Sequence, residues 1–448
     1  MANKPIVQVN VSLQTATVSR KGFGTPLFIS THRNFQERVR TYSSLQAVGD
    51  DFSAADPAHI AATAAFSNTP SVSEFKVGRR EADAVITPTD VADGSVHTLT
   101  VTVNDGDTVV VSITAGAGDD EAAVATAMKA AIDGNAAVAA HVTTSVVGAT
   151  TAGTLVVSPT LATDTFAITD ITNGGMTYSA SGEVAGDVLT AILAVDEDFY
   201  FVTAEDHTNA FVLALAAAAE ARTMLYFVST QEQASITTAY SVAAVDLVAL
   251  LVQGNFERTV AFWSQVADTT YPECAFVGVN APFAPDQRAV VWDGRNIPVV
   301  IGQNVAGNAL TSTQTKNLFD RNCNYMASTA VGIRQLGGKS CSGEWIDNIH
   351  TRDTVVARVT EGQEVLVLNQ DGSKLEGGAA GVALSEAKLR ESLTPFVASK
   401  AAESFSTDSS AATIDQNTRT LQNMQFEMIL QGAIIRVVVN GNLTNATV

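Results

Sequence analysis

Phe199-Tyr200-Phe201-Val202-Thr203, an Ala/Leu-rich run over residues 209–222, and Met224-Leu225-Tyr226-Phe227-Val228-Ser229 read in turn as strand, helix and strand. Consecutive apolar residues, in place of alternating ones, mark strands covered on both faces. The pattern continues with an apolar helix over 240–253 and a strand at Thr259-Val260-Ala261-Phe262-Trp263. Ile297-Pro298-Val299-Val300-Ile301 offers one more strand. Strands alternating with helices at this spacing predict a mixed α/β fold, a layered core with partly parallel strands.

Upstream, Phe23-Gly24-Thr25-Pro26-Leu27-Phe28-Ile29-Ser30 reads as a turn into a short buried strand. Ser43 or Ser44 is placed to cap a short helix that Gly49 ends. Asp56-Pro57 starts a second helix that runs to Phe66 and halts before Pro70. Phe75-Lys76-Val77-Gly78-Arg79-Arg80 is a strand closed by a basic pair. The composition then changes. Between Glu81 and Thr190 there are 14 acidic residues against Lys129 alone, −13 of the chain's net charge of −20. Residues 97–113 form two alternating runs about Asn104-Asp105-Gly106-Asp107, a hairpin signal. Asp119-Asp120-Glu121 opens an Ala-rich helix, acids first as the helix dipole favours. Strands are expected at 142–147, 154–158 and 165–168. Residues 81–188 are therefore an acidic β-rich domain inserted into the α/β middle domain formed by 23–80 and 189–305, in a solvated outer position.

Downstream, 324–334 reads as a strand-like run and 354–368 as helical, within a C-terminal domain over 306–425. Residues 384–402 read as a helix broken at Pro395. Two strands, 426–430 and 434–439, flank Gly432 in a closing arm, 426–448. The opening arm, 1–22, holds Ile6 and a period-two run, Val7, Val9, Val11 and Leu13, with polar residues between. No hairpin turn follows, so its backbone must join a sheet elsewhere in the chain or in another molecule. Ala433, Ile435, Val437 and Val439 supply a matching strand.

A search for chemistry returns little. Gly337-Gly338-Lys339-Ser340 resembles the end of a phosphate-binding loop, but Ile333 stands where its first Gly belongs, so a Gly-rich turn is the reading. Gly22-Phe23-Gly24 lacks the third Gly of a dinucleotide loop. His32, His59, His97, His141, His207 and His350 have no metal-ligand spacing. His350, with Asp347, Asp353 and Cys341, assembles a triad only on paper; nothing marks a strained elbow or an oxyanion hole. Asp105-Gly106-Asp107 lacks the later oxygen ligands of a calcium loop. Cys274, Cys323 and Cys341 have no CxxC spacing and are expected as thiols from a reducing compartment. An acidic chain without a basic stripe is a poor nucleic-acid partner. Its longest apolar run, ten residues from Ala210, is too short for a bilayer. No basic start with an apolar block opens it, so no export leader is expected. No catalytic, cofactor or metal residue is assigned.

The order of several short motifs resembles the contractile-tail sheath proteins of bacteriophages. These are residues 6–13 followed by Gly22-Phe23-Gly24-Thr25-Pro26-Leu27; Tyr42-Ser43-Ser44; Phe66-Ser67-Asn68-Thr69-Pro70; Gly343-Glu344-Trp345-Ile346-Asp347 with Thr351-Arg352-Asp353; and Gly432-Ala433-Ile434-Ile435. They bracket nearly the whole chain and skip the acidic insertion. In one departure, Thr354 follows Arg352-Asp353 where a family-like sequence carries Trp. The resemblance implies a structural subunit without an active site or cofactor, forming stacked six-fold rings around a tail tube. Terminal strands of neighbours would complete a sheet in each subunit. Partners would be other copies, the tube protein, and baseplate and terminator proteins. The particle would be a virion tail built in the bacterial cytoplasm. The C-terminal part would face the tube, with Arg352, Asp353, Arg358, Glu361 and Glu364 as contacts. An α/β enzyme built on residues 189–301 and a non-contractile tube or surface-layer scaffold are the rival readings.

Overall fold

An eight-stranded sheet runs in the order Gly332–Leu336, Asn324–Thr329, Thr259–Trp263, Leu225–Thr230, Phe201–Ala204, Pro26–Thr31, Phe75–Arg80, Val39–Tyr42. This computed structural model describes residues 22–432 apart from 33, 36, 105, 149–152, 161–163, 165, 173–174, 298–308, 369–377 and 416–419. Every pairing between inner strands is parallel; the two edge strands, Gly332–Leu336 and Val39–Tyr42, pair antiparallel. The inner strands are buried on both faces, as their unbroken apolar runs require. Phe201, Leu225, Phe227 and Phe262 point to one layer, with helices Pro57–Phe66 and Pro272–Asn280. Val202, Tyr226, Val228 and Ala261 point to the other, with helices Ala185–Leu193, Asn209–Glu220 and Leu247–Gln253. Helices Pro57–Phe66 and Pro272–Asn280 cross closely because Gly278 has no Cβ, which would strike the Ala65 carbonyl.

The strand at Thr259–Trp263 and the helix at Pro57–Phe66 have the expected bounds. Elsewhere tertiary structure moved the ends. The helix over 240–253 begins only at Leu247, because Asp246 caps it, accepting from the Ala249 amide at 3.2 Å. Gly49 lies inside helix Leu45–Asp51 and does not end it; Ser44 is the cap, as expected. Pro395 lies inside helix Ala379–Ala398, near its end, and the helix is not broken there. The buried Leu393 and Phe396 hold that last turn against the preceding helix. The run at 324–334 is two strands of a hairpin, turned where Gly332 adopts a φ of +99°. These strands, from the stretch assigned to the C-terminal domain, extend the core sheet. Ile297 is not in a strand, and 298–301 lie outside the described residues.

The insertion leaves the sheet after Arg80 and returns before helix Ala185–Leu193. Its strands form a four-stranded and a three-stranded sheet around helix Glu121–Asp133, with a core of its own. The expected hairpin is present as Val96–Val103 with Asp107–Thr114. The two crossing points lie side by side, the Glu183 amide donating to the Glu81 carbonyl at 2.9 Å. Buried Arg38 grips the Glu183 carboxylate with both guanidinium nitrogens, at 2.7 and 2.9 Å. Arg79 pairs with Glu81 at 2.5 Å, and Arg80 with Asp206 at 2.8 Å. Arg38 and Arg79 thus clamp the two ends of the insertion by ion pairs, while Arg80 adds a hydrogen bond to the Glu183 carbonyl.

Beyond the sheet, the helix Ile346–Leu368 packs on helix Ala379–Ala398 through Val355, Leu389, Leu393 and Phe396. A two-stranded ribbon follows, Ala402–Asp408 with Gln425–Leu430, and then a short hairpin pair within it, Thr413–Asp415 with Thr420–Gln422.

Candidate assembly site

The described chain begins at an anchor. The Gly22 amide donates to Asp198 Oδ1 at 2.5 Å, and the buried Phe23 ring lies 4.8 Å from Tyr200 and 6.2 Å from His350. His350 is enclosed by Tyr200, Phe201 and Trp292. Burial, only partly offset by nearby Asp353, lowers its pKa from 6.5 to about 4. It is a neutral core histidine. Its partners in the paper triad are equally placed: Cys341 is fully buried, its thiol pushed up to about 12 by burial, and the His350 Nε2 has no hydrogen-bond partner. Because His350 titrates lower when folded than when unfolded, protonation favours the unfolded chain. The stability it preserves is intact above pH 6.5 and is lost as pH falls from 6.5 toward 4, by about 3 kcal/mol. Urea unfolding across that range should show a steeper acid loss for the native chain than for His350→Phe; identical slopes would refute this assignment.

Asp353 joins this anchor to the C-terminal helices. It accepts from Tyr200 Oη at 2.8 Å and from Arg258 Nη1 and Nη2 at 2.5 and 3.0 Å, with 3% exposure. Thr354, where an aromatic would be family-like, is fully buried and donates to the His350 carbonyl at 2.7 Å. Arg358 is largely buried, paired with Asp286 and Glu361, both at 2.8 Å. Of the five candidate tube-contact residues, Asp353, Arg358 and Glu361 are therefore engaged within the chain. Arg352, paired with Glu257 at 2.5 Å, and Glu364 reach the surface.

The ribbon is sparsely covered. Gln425–Leu430 is largely exposed on both faces, with Phe426 and Ile429 40% and 52% exposed. Among the described residues neither ribbon strand has a second partner, so each presents an outer row of backbone donors and acceptors. A lone two-stranded ribbon is marginal in water and gains stability from further strands. Its apolar residues Phe405 and Met428 are cross-strand partners that rest on the helix pair. The chain passes from this ribbon through Gln431, whose amide donates to the Ala401 carbonyl at 3.0 Å, to Gly432. Ala433, Ile435, Val437 and Val439 lie outside the described residues, as do Ile6, Val7, Val9, Val11 and Leu13. Sequence reading missed the first ribbon strand, extending a helix to 402 instead; the weak alternation about Phe405 was the available signal.

No phosphate cradle forms at Gly337-Gly338. Both have positive φ, but the Gly337 amide donates to Asp293 Oδ1 at 2.9 Å and the Gly338 amide to Asn324 Oδ1 at 2.6 Å. His207 lies between Asp268 and Glu273, at 2.9 and 3.2 Å. Burial opposes its charge, but the two carboxylates outweigh burial and raise its pKa to about 10. No group of described His, Cys, Asp or Glu side chains is placed to hold a metal, and no described helix is long and apolar enough to cross a membrane. The three cysteines are buried thiols.

No protein-family model matches the chain, and no curated protein matches it. Among solved structures, it is similar to the sheath tail protein from Desulfitobacterium hafniense, with 12% identity over 91% of this chain and 94% of that one and a TM-score of 0.44. The sheath tail protein from Listeria innocua matches with 11% identity over 92% and 95%, TM-score 0.45. The helical sheath of the anti-feeding prophage in its contracted state matches with 10% identity over 99% of both chains, TM-score 0.48.

Proposed function

We propose that this chain is the subunit of a contractile tail sheath, polymerising with copies of itself as stacked rings around a tail tube. The observation that carries the reading is the exposed ribbon with open edges, in a chain whose sequence carries two further strand-like apolar patterns, over 6–13 and 433–439. Main-chain hydrogen bonds from an added strand join subunits without a large side-chain interface. In this reading Ile6, Val7, Val9, Val11 and Leu13 of one copy, and Ala433, Ile435, Val437 and Val439 of another, extend the ribbon of a third. Residues 15–21 act as a linker that swings while those bonds persist in this reading, so the lattice passes between two packings without falling apart. Contraction then runs on the free-energy gap between packings and needs no nucleotide. Arg352 and Glu364 are the tube contacts of this reading, and the tube, baseplate and terminator proteins its partners, in a tail-like particle assembled in a bacterial cytoplasm.

Electron microscopy of the purified protein at high concentration should show rods of ring-like repeats in a long and a short form. A strictly monomeric protein refutes the reading, and a single lattice form would favour a non-contractile scaffold.

A further inference from the structure

In this acidic chain most described cations have a carboxylate partner. Arg38, Arg40, Lys76, Arg79 and Arg80 are paired on the sheet side, and Arg258, Arg321, Arg352 and Arg358 elsewhere. Among the described residues Arg222, Lys339 and Lys400 form no ion pair, and neither do three further arginines, Arg288, Arg295 and Arg334. The last three gather at one place. Arg288 and Arg295 both lie over the Phe283 ring, 4.7 and 5.6 Å from its centre. Arg295 donates from Nη2 to the Val279 carbonyl at 3.0 Å, while its Nε is buried without an acceptor. Arg334, on the edge strand, reaches only the Ile333 carbonyl, at 3.2 Å.

Arg295 and Arg334 line a cleft of about 470 Å³ whose other polar walls are Ser67, Asn68, Thr69 and Asn296; no lining residue is acidic. The nearest acids along the chain are taken, Asp293 by the Gly337 amide and Asp286 by Arg358. Burial and the neighbouring Arg288 both disfavour charge on Arg295. A partly desolvated cation without a counter-ion is costly, and a partner that brings a carboxylate removes that cost. The chain itself is rich in such groups, with 14 acids against one Lys between residues 81 and 190.

We propose that the cleft lined by Arg295 and Arg334, with Arg288 beside it over the Phe283 ring, is a contact between copies of this chain, filled by a carboxylate-bearing surface of a neighbouring copy. The inference rests on the self-assembling reading above. Its test is the concentration at which assembly begins, read by light scattering at about 0.15 M salt, where charges act over about 8 Å. Arg288→Glu with Arg334→Glu should raise that concentration on the order of tenfold or more, because like charges then face each other. Arg295→Gln should raise it less, and thermal melts should show all variants folded as monomers. Added salt should hinder the native chain more than the reversed one. Unchanged onset in both variants overturns the inference while leaving the sheath reading intact. So does unchanged onset with loss of binding to a polyanion such as heparin, which would assign the cleft to a different partner. A native chain that never assembles refutes the sheath reading instead.

Discussion

A chain lacking residues 1–13 is expected to fold as a monomer and to lose assembly completely. Folding should survive because Gly22, held by Asp198, and Phe23, packed on Tyr200 and His350, anchor the chain ahead of the core sheet. The first strand of the core sheet, Pro26–Thr31, pairs on both sides with strands far along the chain. Assembly should fail because a strand added to an open edge supplies a row of main-chain hydrogen bonds that no side-chain substitution replaces. Sedimentation and electron microscopy of the truncated and full chains, with thermal melts as the folding control, check both halves of the expectation. Rods formed by the truncated chain would show that the opening arm is not what joins subunits.

Replacing Asp353 by Ala should have the largest effect on stability, a loss of about 3–5 kcal/mol, the usual cost of removing one partner of a buried ion pair. The carboxylate takes hydrogen bonds from Tyr200 and twice from Arg258, and removing it strands a guanidinium and a phenol in the core. Arg258 is left beside Arg352, whose remaining partner is Glu257. Tyr200→Phe removes only one neutral donor and should cost about 1 kcal/mol. Urea unfolding distinguishes the two; equal and small losses would mean that water satisfies Arg258 once Asp353 is gone. Because the Asp353 hub ties the sheet to the helix Ile346–Leu368, the Ala variant should also loosen the ribbon, which rests on the same helix pair.

The inner strands were legible because burial on both faces leaves an apolar signature, and Thr259–Trp263 is buried at all five positions, four of them apolar. Helix Pro57–Phe66 was legible from Pro57 at its first turn. The insertion announced itself by charge. What escaped was structure specified across long separations. Val39–Tyr42 carries a polar, half-covered edge-strand sequence and is held by Phe75–Arg80, which comes 33 residues later. The Arg38 and Glu183 pair spans 145 residues, so no local pattern records it. Helix Pro272–Asn280 buries Glu273 and Asn280 among apolar residues, which hides its periodicity. At the candidate site, the second ribbon strand was read at 426–430 but its partner was not, since Ala402–Asp408 alternates only weakly. The terminal runs were legible as a pairing problem, and the open-edged ribbon is where the proposed function places its answer.

In the proposed sheath, strands are exchanged between copies. A cryo-electron microscopy reconstruction of the assembled particle, traced through residues 6–13, tests it most directly. These residues of one copy are expected beside the Ala402–Asp408 and Gln425–Leu430 ribbon of another. Residues 6–13 paired with 433–439 of the same chain, and no strand crossing between copies, would contradict it.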